Sequence, residues 1–208
     1  MSYILPNPSA LQLSAIVLAG GQSSRMGQDK ALLAPQGVPL LQQVCQVALE
    51  CPSRVYVVTS WPERYRDILP ASCQLIPEVS LPGETEPHGP LVGFAQGLAQ
   101  VQTEWVLALA CDLPRLRVEV FRDWMGLRLG AGSDVTALLP RDAGLWQPLC
   151  GFYRLACLPA LSEYIRQGGR SFQGWLASCK VLELPVSDPT VLFNCNTPAD
   201  LETVVSPS

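Results

Sequence analysis

The sequence predicts an α/β fold with a mostly parallel central sheet covered by helices on both faces. Three observations predict it. Short apolar, β-branched runs alternate with segments of helical periodicity over the first 130 residues, the pattern of a parallel sheet. Two of these runs, Ala15–Leu18 (AIVL) and Trp105–Cys111 (WVLALAC), are apolar without alternation, as strands buried on both faces are. The first run stops at Gly20-Gly21 and is followed by the chain's first cations, Arg25 and Lys30. Ligands of open α/β sheets bind at such carboxyl ends of strands.

In chain order, residues 1–13, with Pro6 and Pro8, are expected to be a tail, and 14–208 one domain. Leu40, Leu41, Val44, Cys45 and Val47 give Pro39–Ala48 a helical face. Arg54–Thr59 (RVYVVT) is a strand, Glu63–Leu69 a short helix, and Cys73–Ile76 a third strand. Val79–Gly89 is loop by composition. Pro90 suits a first helical position, and Leu91, Phe94, Leu98 and Val101 supply that helix's apolar face. After the strand ending at Asp112 and Pro114, Val118–Leu129 is a helix closed by Gly130. Val135–Leu139 and Pro148–Tyr153 are strands around a turn at Asp142-Ala143-Gly144. Leu155–Gln167 and Ser171–Cys179 are helices, the second with Ser171 as cap. Val181–Leu184 is a strand, Phe193–Pro198 a polar loop and Ala199–Val205 a last helical turn or two.

Composition narrows the function classes. The 208 residues are 48% hydrophobic and only 15% charged, below the roughly 25% of a typical domain, which argues for an extensive core. A net charge of −4 lacks the basic excess of a nucleic-acid binder. No apolar run approaches the ~20 residues of a membrane span. The eight cysteines include no C-x-x-C pair, which argues against zinc, and a chain this well cored does not need disulfides. Met1–Ala19 holds no Lys or Arg, so the basic start of a signal peptide is missing. A reduced cytoplasmic protein is expected.

Ser14–Leu33 (SAIVLAGGQSSRMGQDKALL) carries the chemistry. Glycines let backbone N–H groups converge on an anion, and Arg25 and Lys30 add fixed positive charge. Read alone, the stretch is either a polyphosphate cradle or an ordinary Gly-rich turn with solvated cations. It is neither the mononucleotide P-loop, lacking Gly-Lys-Ser/Thr, nor the dinucleotide fingerprint, whose glycine spacing differs. Asp112, placed by a buried strand, can hold Mg²⁺ beside nucleotide phosphates or simply turn the chain; the cradle favours the metal. Asn194 and Asn196 share one side of an extended segment; they can bind an oxygen-rich ligand or Mg²⁺, or simply form a polar turn and cap. His88, the one histidine, belongs to no triad pattern.

LAGGxxxRMGxDK resembles the signature of the molybdenum cofactor guanylyltransferases, the MobA family of Rossmann-like nucleotidyltransferases. Five blocks carry the resemblance in order: Leu18–Lys30, Gly89–Gly93 (GPLVG), Cys111–Pro114 (CDLP), Gln147–Arg154 (QPLCGFYR) and Phe193–Leu201 (FNCNTPADL). It implies a single three-layer nucleotidyltransferase domain. It also implies transfer of GMP from GTP to molybdenum-molybdopterin, giving the guanine dinucleotide cofactor and pyrophosphate. By resemblance, Leu18, Ala19, Gly20 and Gly21 line the guanine nucleotide, with Gly89, Pro90 and Leu91 along the nucleoside. Arg25 and Lys30 meet phosphates, Asp112 holds Mg²⁺, and Asn194 and Asn196 lie at the pterin end. Molybdoenzymes or cofactor-delivery proteins are implied as further partners. Two positions depart from the family: Thr59-Ser60-Trp61 stands where relatives often carry Asn, and Glu78 where they often carry Asp. Glu78 is carried over as a guanosine contact. The rivals are a cytidylyltransferase of the same fold, which typically has Ala-Ala-Gly where this chain has Ala19-Gly20-Gly21, and a catalytically silent nucleotide-binding or cofactor-carrier module.

Overall fold

The computed structural model describes residues 13–20, 29–52, 54–81, 83 and 89–205. Its strands are β1 (Leu13–Leu18), β2 (Arg54–Thr59), β3 (Cys73–Pro77), β4 (Trp105–Ala110), β5 (Ala137–Leu139), β6 (Arg141–Asp142), β7 (Leu145–Trp146), β8 (Cys150–Arg154) and β9 (Val181–Glu183). The α-helices are α1 (Leu40–Leu49), α2 (Pro62–Tyr65), α3 (Pro90–Leu98), α4 (Val118–Leu129), α5 (Leu158–Arg166), α6 (Phe172–Leu176) and α7 (Pro198–Val205).

Seven strands form one sheet in the order β3-β2-β1-β4-β8-β5-β9. All neighbours are parallel except β8, which runs antiparallel to both β4 and β5. The reason is the connection. Only ten residues separate β5 from β8, too few for the crossover that parallel neighbours need. Those residues form the small β6–β7 hairpin, turned by Ala143 (φ 47°) and Gly144 (φ 81°). The mostly parallel sheet and the turn at Asp142–Gly144 are as expected.

Alternate side chains of each central strand enter two separate cores. On one face Ala15, Val17, Val57, Leu107 and Leu109 pack under α1 and α4. On the other, Ile16, Val58, Val106 and Ala108 pack under α3 and α5. Phe121 and Trp124 anchor α4, and Trp124 Nε1 donates to the Pro185 carbonyl at 2.7 Å. Truncating an aromatic this buried costs about 3–5 kcal/mol. α3 lies especially close to the sheet because of Gly97: a Cβ there would sit 2.9 Å from Val58 and 3.0 Å from Ile16.

The chain passes from β1 outward to β2 and β3, then returns across β1 to β4. The sheet's order reverses between β1 and β4, and their carboxyl ends border a crevice there.

Some boundaries differ from expectation. Leu13, assigned to the tail, is the buried first residue of β1. The expected Glu63–Leu69 helix is the four-residue α2 followed by turns. Two 3₁₀ turns, Lys30–Leu32 and Pro189–Leu192, were not anticipated. The Ser171 cap is present: its Oγ accepts the Gly174 N–H at 3.3 Å.

Candidate active site at the ends of β1 and β4

Asp112 is the second residue past β4, and main-chain bonds fix it there. Ala110 N–H donates to the Leu149 carbonyl (2.9 Å) and Cys111 N–H to the Leu18 carbonyl (3.2 Å). Cys195 N–H donates to the Asp112 carbonyl at 2.9 Å, so the distant Phe193–Pro198 segment does return to the sheet's end. The carboxylate is therefore placed by β1, β4 and the C-terminal loop together.

Its two oxygens have different surroundings. Oδ2 lies 3.6 Å from Lys30 Nζ. Oδ1 is buried, and among the described residues no group reaches it with hydrogen-bond geometry. Burial pushes the Asp112 carboxyl above the ordinary aspartate range, and the Lys30 charge opposes that only in part. An unpaired buried carboxylate oxygen is costly unless a ligand completes it, and a divalent cation would do so. No three His, Cys, Asp or Glu side chains converge among the described residues. A cation at Asp112 would thus take its remaining ligands from phosphate oxygens and water, the usual habit of Mg²⁺.

Lys30 begins the 3₁₀ turn Lys30–Leu32. Its Nζ also donates to Asn196 Oδ1 at 2.5 Å. Asp29 caps that turn: Oδ1 accepts the Ala31 N–H at 3.1 Å. Its Oδ2 accepts the Tyr65 hydroxyl at 2.8 Å and lies 3.6 Å from an Arg64 guanidinium nitrogen.

The asparagine segment follows the expected alternation. Cys195 is buried, with the more open Asn194 and Asn196 on either side. Asn194 Nδ2 donates to the Leu192 carbonyl. Asp200 holds the segment by accepting the N–H groups of Asn196 and Thr197, each at 2.8 Å, while Thr197 Oγ1 accepts the Asp200 N–H. This reciprocal pairing is a capping box at the start of α7. The Asn196 N–H bond, first among these contacts, holds the Asp200 carboxyl below the usual range.

At the end of β3, Glu78 N–H donates to the Thr59 carbonyl. Its carboxylate accepts the Ser60 hydroxyl at 3.0 Å and lies between Gly20 and Gly93, where added Cβ atoms would stand 3.4 and 3.5 Å from it. Thr59, by contrast, uses its Oγ1 to accept the Trp61 N–H. Gly89, at φ 77°, turns the chain into α3 with Pro90 at its first position. Leu91 is fully buried in the core.

Leu18, Gly20, Pro90, Asp112, Gln147 and Asn194 line one cleft of about 270 Å³ at the crevice. A groove between α3 and α5 is larger, about 520 Å³, but it collects no comparable buried carboxylate. Gly21, Arg25 and His88 lie outside the described residues. Lys30, Asp112, Asn194 and Asn196 are brought together, and Glu78 stands at the neighbouring strand ends. Sequence reasoning gave no individual role to Gln147, Asp29 or Tyr65. The first two lie inside quoted blocks, whereas nothing local marks Tyr65.

A family model described as the MobA-like NTP transferase domain matches residues 15–180. A probable molybdenum cofactor guanylyltransferase of Trichormus variabilis is 57% identical over 192 residues, covering 92% of this chain and 90% of that protein. The molybdenum cofactor guanylyltransferase of Vibrio cholerae is 30% identical over 200 residues, covering 95% and 93%. Among solved structures, molybdopterin-guanine dinucleotide biosynthesis protein A from Archaeoglobus fulgidus shares the fold, with TM-score 0.74, 23% identity and coverage of 92% and 96%.

Proposed function

The chain belongs to the MobA-like NTP transferases, as a molybdenum cofactor guanylyltransferase, and from that premise we propose how its cleft moves GMP from GTP onto molybdenum-molybdopterin. The observation that carries the proposal is the buried Oδ1 of Asp112, unpaired among the described residues, beside Lys30 at the crevice between β1 and β4.

The reaction is an in-line exchange of phosphate esters. A terminal phosphate oxygen of the pterin forms a bond to the α-phosphorus of GTP. The bond from that phosphorus to the β-phosphate bridging oxygen breaks, and pyrophosphate leaves with the electron pair. The attacking oxygen is already anionic, so no general base or covalent intermediate is required. The protein's task is to hold two polyanions in line and offset their charge. Lys30 leaves part of its contact with Asp112 and Asn196 to meet phosphate oxygens, with Arg25 as a second cation. Asp112 is the residue that would hold Mg²⁺, which when bound neutralises phosphate charge and orients the leaving group.

The nucleoside end is read from Glu78. Guanine presents N1–H and N2–H₂ donors, and the Glu78 carboxylate, held by Ser60 between Gly20 and Gly93, is an acceptor at the right strand ends. Asn194 and Asn196 are assigned to the acceptor side, toward the pterin. The eight cysteines are free, and among the described residues no helix is long and apolar enough to cross a membrane. Both fit the cytoplasmic location we infer, with molybdoenzymes or delivery proteins receiving the product.

Thermal-shift titration with GTP, CTP, ATP and UTP, each with Mg²⁺, tests the reading. A ligand at 100 times its Kd stabilises by about 2.7 kcal/mol, roughly 5–10 °C for a domain of this size. GTP should give the largest shift. A larger shift with CTP would promote the cytidylyl rival.

A further inference from the structure

We propose that Tyr65 and Asp29 are positioning residues for Lys30, forming a latch that fixes the root of the phosphate-facing cation. The proposal rests on the reading of Lys30 given above.

Lys30 sits in a three-residue 3₁₀ turn. Its own bonds, Leu32 N–H to the Asp29 carbonyl and Leu33 N–H to the Lys30 carbonyl, each 3.1 Å, have the poorer geometry of a 3₁₀ turn. Its start must be fixed by something else. Asp29 does this with Oδ1 on the Ala31 N–H, which sets the peptides on both sides of Lys30. A capping carboxylate on a surface loop can rotate toward water. Here the second oxygen is taken by the Tyr65 hydroxyl at 2.8 Å, from a residue 36 positions away.

Tyr65 is itself immobile. It is 1% exposed and packed in the core under α1 and α4. A buried tyrosine hydroxyl needs a partner, and Asp29 Oδ2 is the one it donates to. Burial, with the Asp29 carboxylate adding to it, raises the phenol well above the ordinary tyrosine range, so it remains a donor at any working pH. Arg64, 3.6 Å from the same oxygen, stacks over Trp61 with its guanidinium 4.8 Å from the ring centre. One carboxylate thus joins the Lys30 turn to α2, directly after β2.

The cation's tip has the opposite requirement. Lys30 Nζ contacts Asp112 Oδ2 and Asn196 Oδ1 and must redirect toward phosphate when GTP enters. A four-carbon ammonium stem has many rotamers. Aim therefore depends on a fixed root, and a misplacement of about 1 Å can cost up to about 100-fold in rate. The latch fixes the root while the tip exchanges its contacts with Asp112 and Asn196 for phosphate.

The competing account is that the contact only staples a loop to α2. A double-mutant cycle separates the two. Tyr65→Phe keeps the ring and removes the hydroxyl. Single-turnover transfer of labelled GMP from GTP to molybdenum-molybdopterin should slow about tenfold, with the KM for GTP changed less than about threefold. In a Lys30→Met background the same change should have almost no further effect, less than about twofold. A wild-type rate for Tyr65→Phe, or an equal tenfold loss in both backgrounds, overturns the latch. Full activity of Lys30→Met overturns the reading of Lys30 itself, and the latch with it. Should Tyr65→Phe not fold, Asp29→Asn takes its place in the cycle, since it keeps a capping acceptor but gives up the charge facing Tyr65 and Arg64.

Discussion

Asp112→Asn should separate catalysis from stability. The substitution keeps the shape of the side chain and removes its charge. Lys30 Nζ stands 3.6 Å from Oδ2, which at an effective dielectric of about 20 is an attraction of about 5 kcal/mol. Against it stands the cost of keeping a carboxylate buried with Oδ1 unpaired among the described residues, typically several kcal/mol per ion. The raised Asp112 carboxyl shows that burial outweighs the Lys30 attraction. Lys30 also keeps its bond to Asn196 in the mutant. The ligand-free protein should then change in stability by no more than about 1 kcal/mol, a melting shift within about 4 °C. Transfer should fall on the order of 100-fold or more, as when a charge-stabilising group is removed from a transition state. Calorimetry without nucleotide and pyrophosphate release with GTP, Mg²⁺ and the pterin substrate measure the two quantities. Near-normal turnover would refute the metal assignment. A melting point lowered by 10 °C would show that the carboxylate is structural.

Lys30→Met should slow transfer more than Lys30→Arg, and both should weaken triphosphate binding; unchanged GTP affinity and turnover would make Lys30 a bystander. Replacing Asn194 and Asn196 together by Ala should spare the GTP-induced thermal shift and impair transfer to the pterin. Because Asn196 accepts from Lys30, loss of the GTP shift would instead assign the segment to the nucleotide half. Asp200, held low chiefly by the Asn196 N–H, contributes stability in full above the ordinary aspartate pKa of about 3.9, and loses it as pH falls through the depressed value. Melting curves of Asp200→Ala should therefore fall less steeply than wild type below about pH 4, and parallel curves would show that the capping box has no such role.

The fold was legible where side chains are buried on both faces. β2 and α4 have the boundaries their patterns predict, and β4 differs by one residue, because unbroken apolar runs and a 3.6-residue period leave little choice. The Lys30–Leu32 turn was not legible, since its determinant is a cap completed by Tyr65, 36 residues from Asp29. The place of β8 between β4 and β5 was hidden for a similar reason: its pairing with β4 joins distant parts of the chain. At the site, Asp112 could be picked out because a buried strand delivers it. The Ser60–Glu78 contact could not, because it forms between two parallel strand ends.

The most direct test of the central claim is a competition assay. GTP and CTP labelled at the α-phosphate, at equal concentration with Mg²⁺ and molybdenum-molybdopterin, are offered to the full chain, and the dinucleotide products are separated and counted. A site whose acceptors are built for the guanine N1–H and N2–H₂ donors should reject a base lacking them strongly. The account predicts label almost wholly in the guanine dinucleotide. Equal label in the two products, or label in the cytosine product alone, would contradict it.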